Sequence, residues 1–376
     1  PGWRDPAGRD TVRLVGQARP DRRGNGSPVR ILSVASAFPP HYYDQETLLA
    51  AFRTQWAKRH FNLDRLERLH QNVLVGGRHL ALPMEEYLDL DTWGKANDAW
   101  IRVAQEVGES AVRDALRSAG VAVDEVDAIV FTSVTGIATP SIDARLVNRL
   151  GLPDRVKRMP LFGLGCVAGA AGIARATDVV RAYPGQTVVL LSVELCSLTL
   201  QRHDLSIPNL ISSGLFGDGA AAAVLACGDR AGEGPEVVAT RSVFYRDTER
   251  VMGWDISENG FSVVLSAEVP DTVRRHLRRD VDGFLAEHGL ERGDISRWIA
   301  HPGGPRVLEA MSQTLELPDG ALDLAWKSLR EKGNLSSTSV LLVLEEVLED
   351  PPPQGSLALM TAMGPGFCSE LVLLRF

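Results

Sequence analysis

Residues 161–172 read LFGLGCVAGAAG, a single cysteine inside a run of glycine, alanine and valine. The preceding KRMPLF (157–162) has extended character, and VAGAAGIARATDVVRAYPG (167–185) continues as a helix stopped by proline and glycine. Cys166 therefore falls where a strand gives way to a helix. A thiol at a helix N-terminus feels the positive end of the helix dipole, which favours thiolate. Gly163 and Gly165 allow a sharp turn and a close approach by a substrate. Ala168, Gly169, Ala170, Ala171 and Gly172 let the helix pack closely inside the protein. The glycine spacing does not fit GxGxxG, so a dinucleotide loop is not indicated. Two readings stand at this point: a nucleophile on a buried elbow, or an inert buried thiol.

Outward from this segment, strands and helices alternate. VRILSVASAF (29–38), VDAIVFTSV (126–134), TVVLLSVELCSL (187–198) and GDGAAAAVLAC (217–227) read as buried strands. GKANDAWIRVAQEVGESAVRDALRSAG (94–120) reads as one long amphipathic helix with Gly120 as its C-cap. GDRAGEGPE (228–236) is a turn-rich boundary, after which the same rhythm resumes and closes on GSLALMTAMG and SELVLLRF. The pattern predicts an α/β protein whose sheets are covered on both faces. Residues 1–28, rich in Arg, Gly and Pro, read as a flexible arm. Residues 29–228 form a first half carrying the cysteine, and 237–376 a second half of similar rhythm.

With 376 residues, 44% hydrophobic, the chain can bury a large core. Its net charge of −8 argues against nucleic-acid binding and requires a local basic patch for any anionic ligand. The four cysteines (Cys166, Cys196, Cys227 and Cys368) form no CxxC pair and no evident disulfide framework. No apolar run is long enough to span a bilayer and no secretory leader is legible. A cytoplasmic protein with no integral membrane segment is expected.

Two further motifs sit at breaks in the second half. In IAHPGGPRVLEA (299–310), His301 ends an apolar strand that Pro302, Gly303 and Gly304 interrupt. In EKGNLSSTSV (331–340), Asn334 follows Gly333 and precedes a helix. Alone, His301 reads as a structural histidine and Asn334 as an N-cap. Together with Cys166, they place three reactive side chains at strand ends and helix starts, where sites form in α/β sheets.

GLGCVAGAAG, HPGGPRVLEA, GNLSSTSV, GLFGDGAAA and AMGPGF, in this order, closely resemble type III polyketide synthases, the chalcone synthase-like family. The resemblance covers residues 29–376. It implies a thiolase-type fold, layered αβαβα, built from two related halves, and a homodimer. It also implies that Cys166 carries the acyl chain, with His301 and Asn334 completing the triad. His301 as an imidazolium would hold Cys166 as thiolate, and both His301 and Asn334 would donate to the oxygen that gains charge as malonyl-CoA loses CO2. No metal or redox cofactor is expected. The resemblance implies an acyl-CoA starter and malonyl-CoA as substrates.

The resemblance assigns Phe216 and Phe261 as a gatekeeper pair and Cys196 and Thr199 as cavity lining. It assigns Gly364, Pro365 and Gly366 as the loop shaping the cavity wall, with Ala362 and Met363 departing from the family's Gly and Phe. Thr139 falls where the family's dimer loop reaches the neighbouring cavity. Arg65, Arg68, Gly303, Gly304 and Arg306 are the expected CoA contacts, while Asn72 stands where the family has another basic one. The segments around Cys166 and Cys196, with FYRDTERVMGWDISENGF (244–261), look most like bacterial synthases of alkylresorcinols and alkylpyrones, which implies long fatty acyl starters. A ketoacyl-ACP synthase performing one condensation is the alternative reading.

Overall fold

A computed structural model describes residues 27–56 and 63–376. The expected arm, apart from residues 27 and 28, lies outside the described residues. Nine strands form one sheet in the order Ile295–Ala300, Leu357–Gly364, Cys368–Arg375, Glu236–Phe244, Val29–Ala37, Asp218–Cys227, Thr187–Leu195, Val126–Ser133 and Lys157–Phe162.

The pairing repeats. Val29–Ala37 runs antiparallel to Asp218–Cys227, which is antiparallel to Thr187–Leu195, which is parallel to Val126–Ser133. In the second half Glu236–Phe244, Cys368–Arg375, Leu357–Gly364 and Ile295–Ala300 repeat the same sequence of directions. The two sets meet at the pair Arg30 and Glu236. Helices recur in equivalent places. Trp93–Ala119 precedes Val126–Ser133, as Val269–Ala286 precedes Ile295–Ala300; Ala168–Ala182 precedes Thr187–Leu195, as Ser339–Glu349 precedes Leu357–Gly364. The two halves are thus related, in the thiolase-type arrangement of five α and β layers.

Ala168–Ala182 and Ser339–Glu349 are the central helices, packed on strands of both halves. A Cβ at Gly169 would stand 2.2 Å from the Ser337 carbonyl oxygen. The small residues after Cys166 therefore answer to packing against the start of the second central helix. The strand Asp218–Cys227 is buried along its whole length, and its run of alanines lets helices cover it closely.

The long helix spans Trp93–Ala119. Gly120 closes it at φ 65°, as its sequence predicts, and at its start Thr92 Oγ1 accepts from Lys95 N. The strand expected over 187–198 instead stops at Leu195, because Cys196–Thr199 winds into a 3-10 turn held by Asp218. Two small antiparallel two-stranded sheets, His41–Asp44 with Gly77–Leu80 and the hairpin Met252–Ser257 with Gly260–Leu265, lie outside the main sheet. No helix among the described residues is long and apolar enough to cross a membrane.

Candidate active site

The two central helices begin beside each other, and each start carries site residues. Cys166 lies in the turn Gly165–Val167 that opens the first. Asn334 lies just before the turn Ser336–Thr338 that opens the second. His301 follows the strand Ile295–Ala300, its N–H donating to Thr361 O at 2.9 Å. All three line one pocket of about 30 Å³, closed by Met252, Met363 and Phe367 among others.

The pocket is small and mostly apolar, and its polar groups are unequally satisfied. Cys166 Sγ donates to Ser336 Oγ at 3.7 Å. Asn334 Oδ1 accepts from Ser336 N at 2.8 Å, and one Nδ2 hydrogen goes to Gly303 O at 3.2 Å, which leaves the second amide hydrogen for a ligand. His301 is buried with neither ring nitrogen paired. Buried imidazoles without partners are rare, and this one faces the pocket that holds Cys166.

Burial works against the charged form of both Cys166 and His301. Burial pushes the Cys166 thiol up to about 12; the Ser336 bond opposes this, and the negative charge of Glu194 adds to it. Burial also lowers His301 to about 4. In each case the cause is that the pocket offers little solvation to a charge. Glu194, buried in the strand Thr187–Leu195, accepts from Thr135 Oγ1 at 2.9 Å, Val134 N at 3.1 Å and Ser337 Oγ. It ties the first half to the start of the second central helix.

A second cavity of about 530 Å³ lies alongside. Its wall includes Phe216, Cys196 and Thr199, and apolar side chains such as Leu48, Phe52 and Leu200. Phe216 pairs with Asn334 through an isolated backbone bridge, so it stands at the partition between the two spaces. Phe261 is on the wall of neither. It is buried edge-on to Trp93 and Trp254, each ring centroid 6.0 Å away, and it is Trp254 that meets the cavity. The expected second gatekeeper is therefore displaced by one aromatic layer.

The loop of Gly364, Pro365 and Gly366 backs the cysteine turn. A Cβ at Gly364 would come within 2.7 Å of Val167 N, and one at Gly165 would meet Pro365 Cδ at 2.7 Å. Gly303 lies against the His301 ring, and Gly304, at φ 143°, begins the helix Pro305–Leu315. Arg306 is exposed at that helix start, and Arg65 and Arg68 are exposed on the helix Leu63–Asn72. Thr139 is exposed and lines neither cavity of its own chain.

Sequence reasoning passed over Ser336, Glu194, Arg78, Tyr87, Ser197 and Trp254. Glu194 had a signal, since it is the one acid in the otherwise apolar TVVLLSVEL. Tyr87 had none.

A cysteine, a histidine and an asparagine gathered between two related halves of this layered fold define a condensing acyltransferase. The family description "Chalcone and stilbene synthases, N-terminal domain" matches residues 15–229, and "Chalcone and stilbene synthases, C-terminal domain" matches 236–376. The chain is 51% identical over 350 residues to the 1,3,6,8-tetrahydroxynaphthalene synthase of Streptomyces peucetius subsp. caesius, covering 92% of this chain and 93% of the relative. It is 31% identical to the phloroglucinol synthase of Pseudomonas fluorescens, covering 89% and 96%. The crystal structure of 1,3,6,8-tetrahydroxynaphthalene synthase from Streptomyces coelicolor superposes with a TM-score of 0.88 at 31% identity, covering 92% and 99%. The chain belongs to the chalcone and stilbene synthase family, the type III polyketide synthases, acyltransferases that condense malonyl-CoA units.

Proposed function

We propose that this chain builds a poly-β-keto chain on Cys166 from malonyl-CoA and closes it to a compact polyhydroxylated arene. The observation that carries this reading is the shared pocket of Cys166, His301 and Asn334, with His301 unpaired at both nitrogens and Asn334 holding one spare donor.

In this mechanism the Cys166 thiol gives its proton to His301 as sulfur attacks the thioester carbon, the carbon–sulfur bond to CoA breaks, and His301 returns that proton to CoA, which leaves as its thiol. Malonyl-CoA then loses CO2, and the electron pair moves onto its thioester oxygen. His301 and Asn334 Nδ2 donate to that oxygen inside a water-poor pocket, where such bonds are strongest. The carbanion attacks the acyl–Cys166 carbonyl, a carbon–carbon bond forms, and the sulfur is released for reloading. Phe216 separates this chamber from the larger cavity. Arg65, Arg68 and Arg306 supply cations for the CoA phosphates, with Gly303 and Gly304 giving the backbone room beside His301. Two copies assemble, with the exposed Thr139 segment at the partner; light scattering of the purified chain tests this.

Support for a compact arene comes from the products named for the relatives, tetrahydroxynaphthalene and phloroglucinol, which carry no alkyl arm. The apolar wall of the larger cavity supports a second reading, in which a long fatty acyl starter yields an alkylresorcinol or alkylpyrone. One experiment separates them. The chain and Cys166→Ala are incubated with malonyl-CoA alone, and with acyl-CoA starters from acetyl to long fatty acyl, and products are read by mass spectrometry. An arene from malonyl-CoA alone supports the first reading, alkylated products from long starters only support the second, and a single condensation product counts against both.

A further inference from the structure

The wall of the larger cavity carries a chain of hydroxyls that the condensation steps leave unused. Tyr87 and Ser197 both line it. Tyr87 Oη lies 2.5 Å from Ser197 Oγ, and Ser197 Oγ donates in turn to Asp218 Oδ2. Ser197 N donates to Asp218 Oδ1 at 2.8 Å, and Ala81 N to Oδ2 at 2.6 Å.

Asp218 itself is buried at the start of the alanine strand. The buried Arg78 guanidinium stands close enough to favour its charge. Three donors and a nearby cation keep such a carboxylate ionised, while burial raises it to about 6, within reach of a proton-transfer role. The Tyr87 phenol is held neutral by burial and by the Asp218 charge, so it can pass a proton on but not store the negative charge. The turn that carries Ser197 also carries Cys196 and Thr199, which line the same cavity. A buried base is thus connected to the cavity by two hydroxyls in series.

We propose that Tyr87, Ser197 and Asp218 form a proton relay for ring closure of the poly-β-keto chain, with Tyr87 as the catalytic group that meets the chain and Ser197 and Asp218 acting through it. This rests on the synthase reading above. A proton leaves an activated methylene for Tyr87 Oη as the Tyr87 proton moves to Ser197 Oγ and the Ser197 proton to Asp218 Oδ2. The methylene's electron pair forms a carbon–carbon bond to a ketone carbon of the same chain, and the ketone's π pair becomes an alkoxide. The proton returns along the relay to that alkoxide. Asp218 is ionised again and no co-reactant is consumed.

The test is the yield of carbon-closed aromatic product per CoA released from malonyl-CoA, measured on the full chain. Lactones need no such relay, since they form by oxygen attack on the thioester. In Tyr87→Phe, which keeps the ring and removes the hydroxyl, the aromatic yield per CoA falls about a hundredfold or more and lactones replace it. Ser197→Ala behaves alike, and Ser197→Thr, which restores a hydroxyl, recovers the aromatic product. If CoA release and aromatic product fall together, so that the ratio is unchanged, the hydroxyls only hold the wall and the relay is wrong. A wild-type chain that yields only lactones overturns the relay as well. A wild-type chain that releases no CoA from any thioester overturns the synthase reading itself.

Discussion

Phe216 and Asn334 are joined through their backbones, and each stands on the wall of a different cavity. Asn334 N donates to Leu215 O at 2.9 Å, and Gly217 N donates to Asn334 O at 3.0 Å. Gly333 permits this approach: its φ is 76°, and a Cβ there would lie 2.8 Å from Leu215 O. The partition between the chambers and the amide that faces the reacting pocket are therefore one rigid unit. A group held this way donates to a developing charge without reorganising.

Asn334→Ala removes that donor and leaves Cys166 in place. Malonyl-CoA decarboxylation is expected to fall about a hundredfold to a thousandfold. Loading of an acyl starter onto Cys166, followed by intact-protein mass, should persist. Equal loss of both would mean that Asn334 serves the fold alone.

The burial of Cys166 has a direct signature. With the Cys166 thiol pushed up to about 12, iodoacetamide labelling of this residue in the ligand-free chain should rise about tenfold per pH unit from neutrality upward. A standing thiolate–imidazolium pair would instead label at a rate nearly independent of pH over that range. Peptide mapping across a pH series reads the difference.

Gly169→Ala places a methyl group 2.2 Å from the Ser337 carbonyl oxygen, which is backbone and cannot rotate away. The two central helices must separate, and the chain should lose about 1–3 kcal/mol in denaturant melts. Ser336 and Asn334 sit at the displaced helix start, so turnover should fall as well. An unchanged melt would contradict the packing account.

Acid should destabilise the chain through its buried histidines. His70 is lowered from 6.5 to about 3, first by burial and then by the Arg78 charge. The unfolded chain takes up this proton near 6.5 and the folded chain does not. The stability this site contributes is present above 6.5 and is lost as pH falls toward about 3. His301, lowered to about 4, acts in the same direction. His70→Gln should flatten the stability curve across this window in denaturant melts at stepped pH. An equally steep curve would assign the acid loss to other groups.

Much of the site was legible because its residues interrupt regular patterns. Cys166, His301 and Asn334 each stand beside glycines that break a strand or start a helix. The helix Trp93–Ala119 was legible from its apolar period and from Gly120. What escaped the sequence depends on partners far along the chain. Glu194 meets Ser337 across 143 residues, and Tyr87 meets Ser197 across 110. Neither contact leaves a local pattern. Phe261 was assigned through the resemblance, which gives a position along the chain but not which aromatic stands between it and the cavity. The strand at 187–198 was read too long because Cys196 and Leu198 are as apolar as the residues before them. The Asp218 carboxylate, from a different strand, helps to turn the chain there.

The most direct test of the account is the mass of the protein itself, quenched during turnover with malonyl-CoA and mapped to peptides. The account predicts a ladder of thioester adducts on Cys166, each longer than the last by one condensed unit, and none in Cys166→Ala. A single adduct that never lengthens, or adducts on Cys196, Cys227 or Cys368 with Cys166 unmodified, would contradict it.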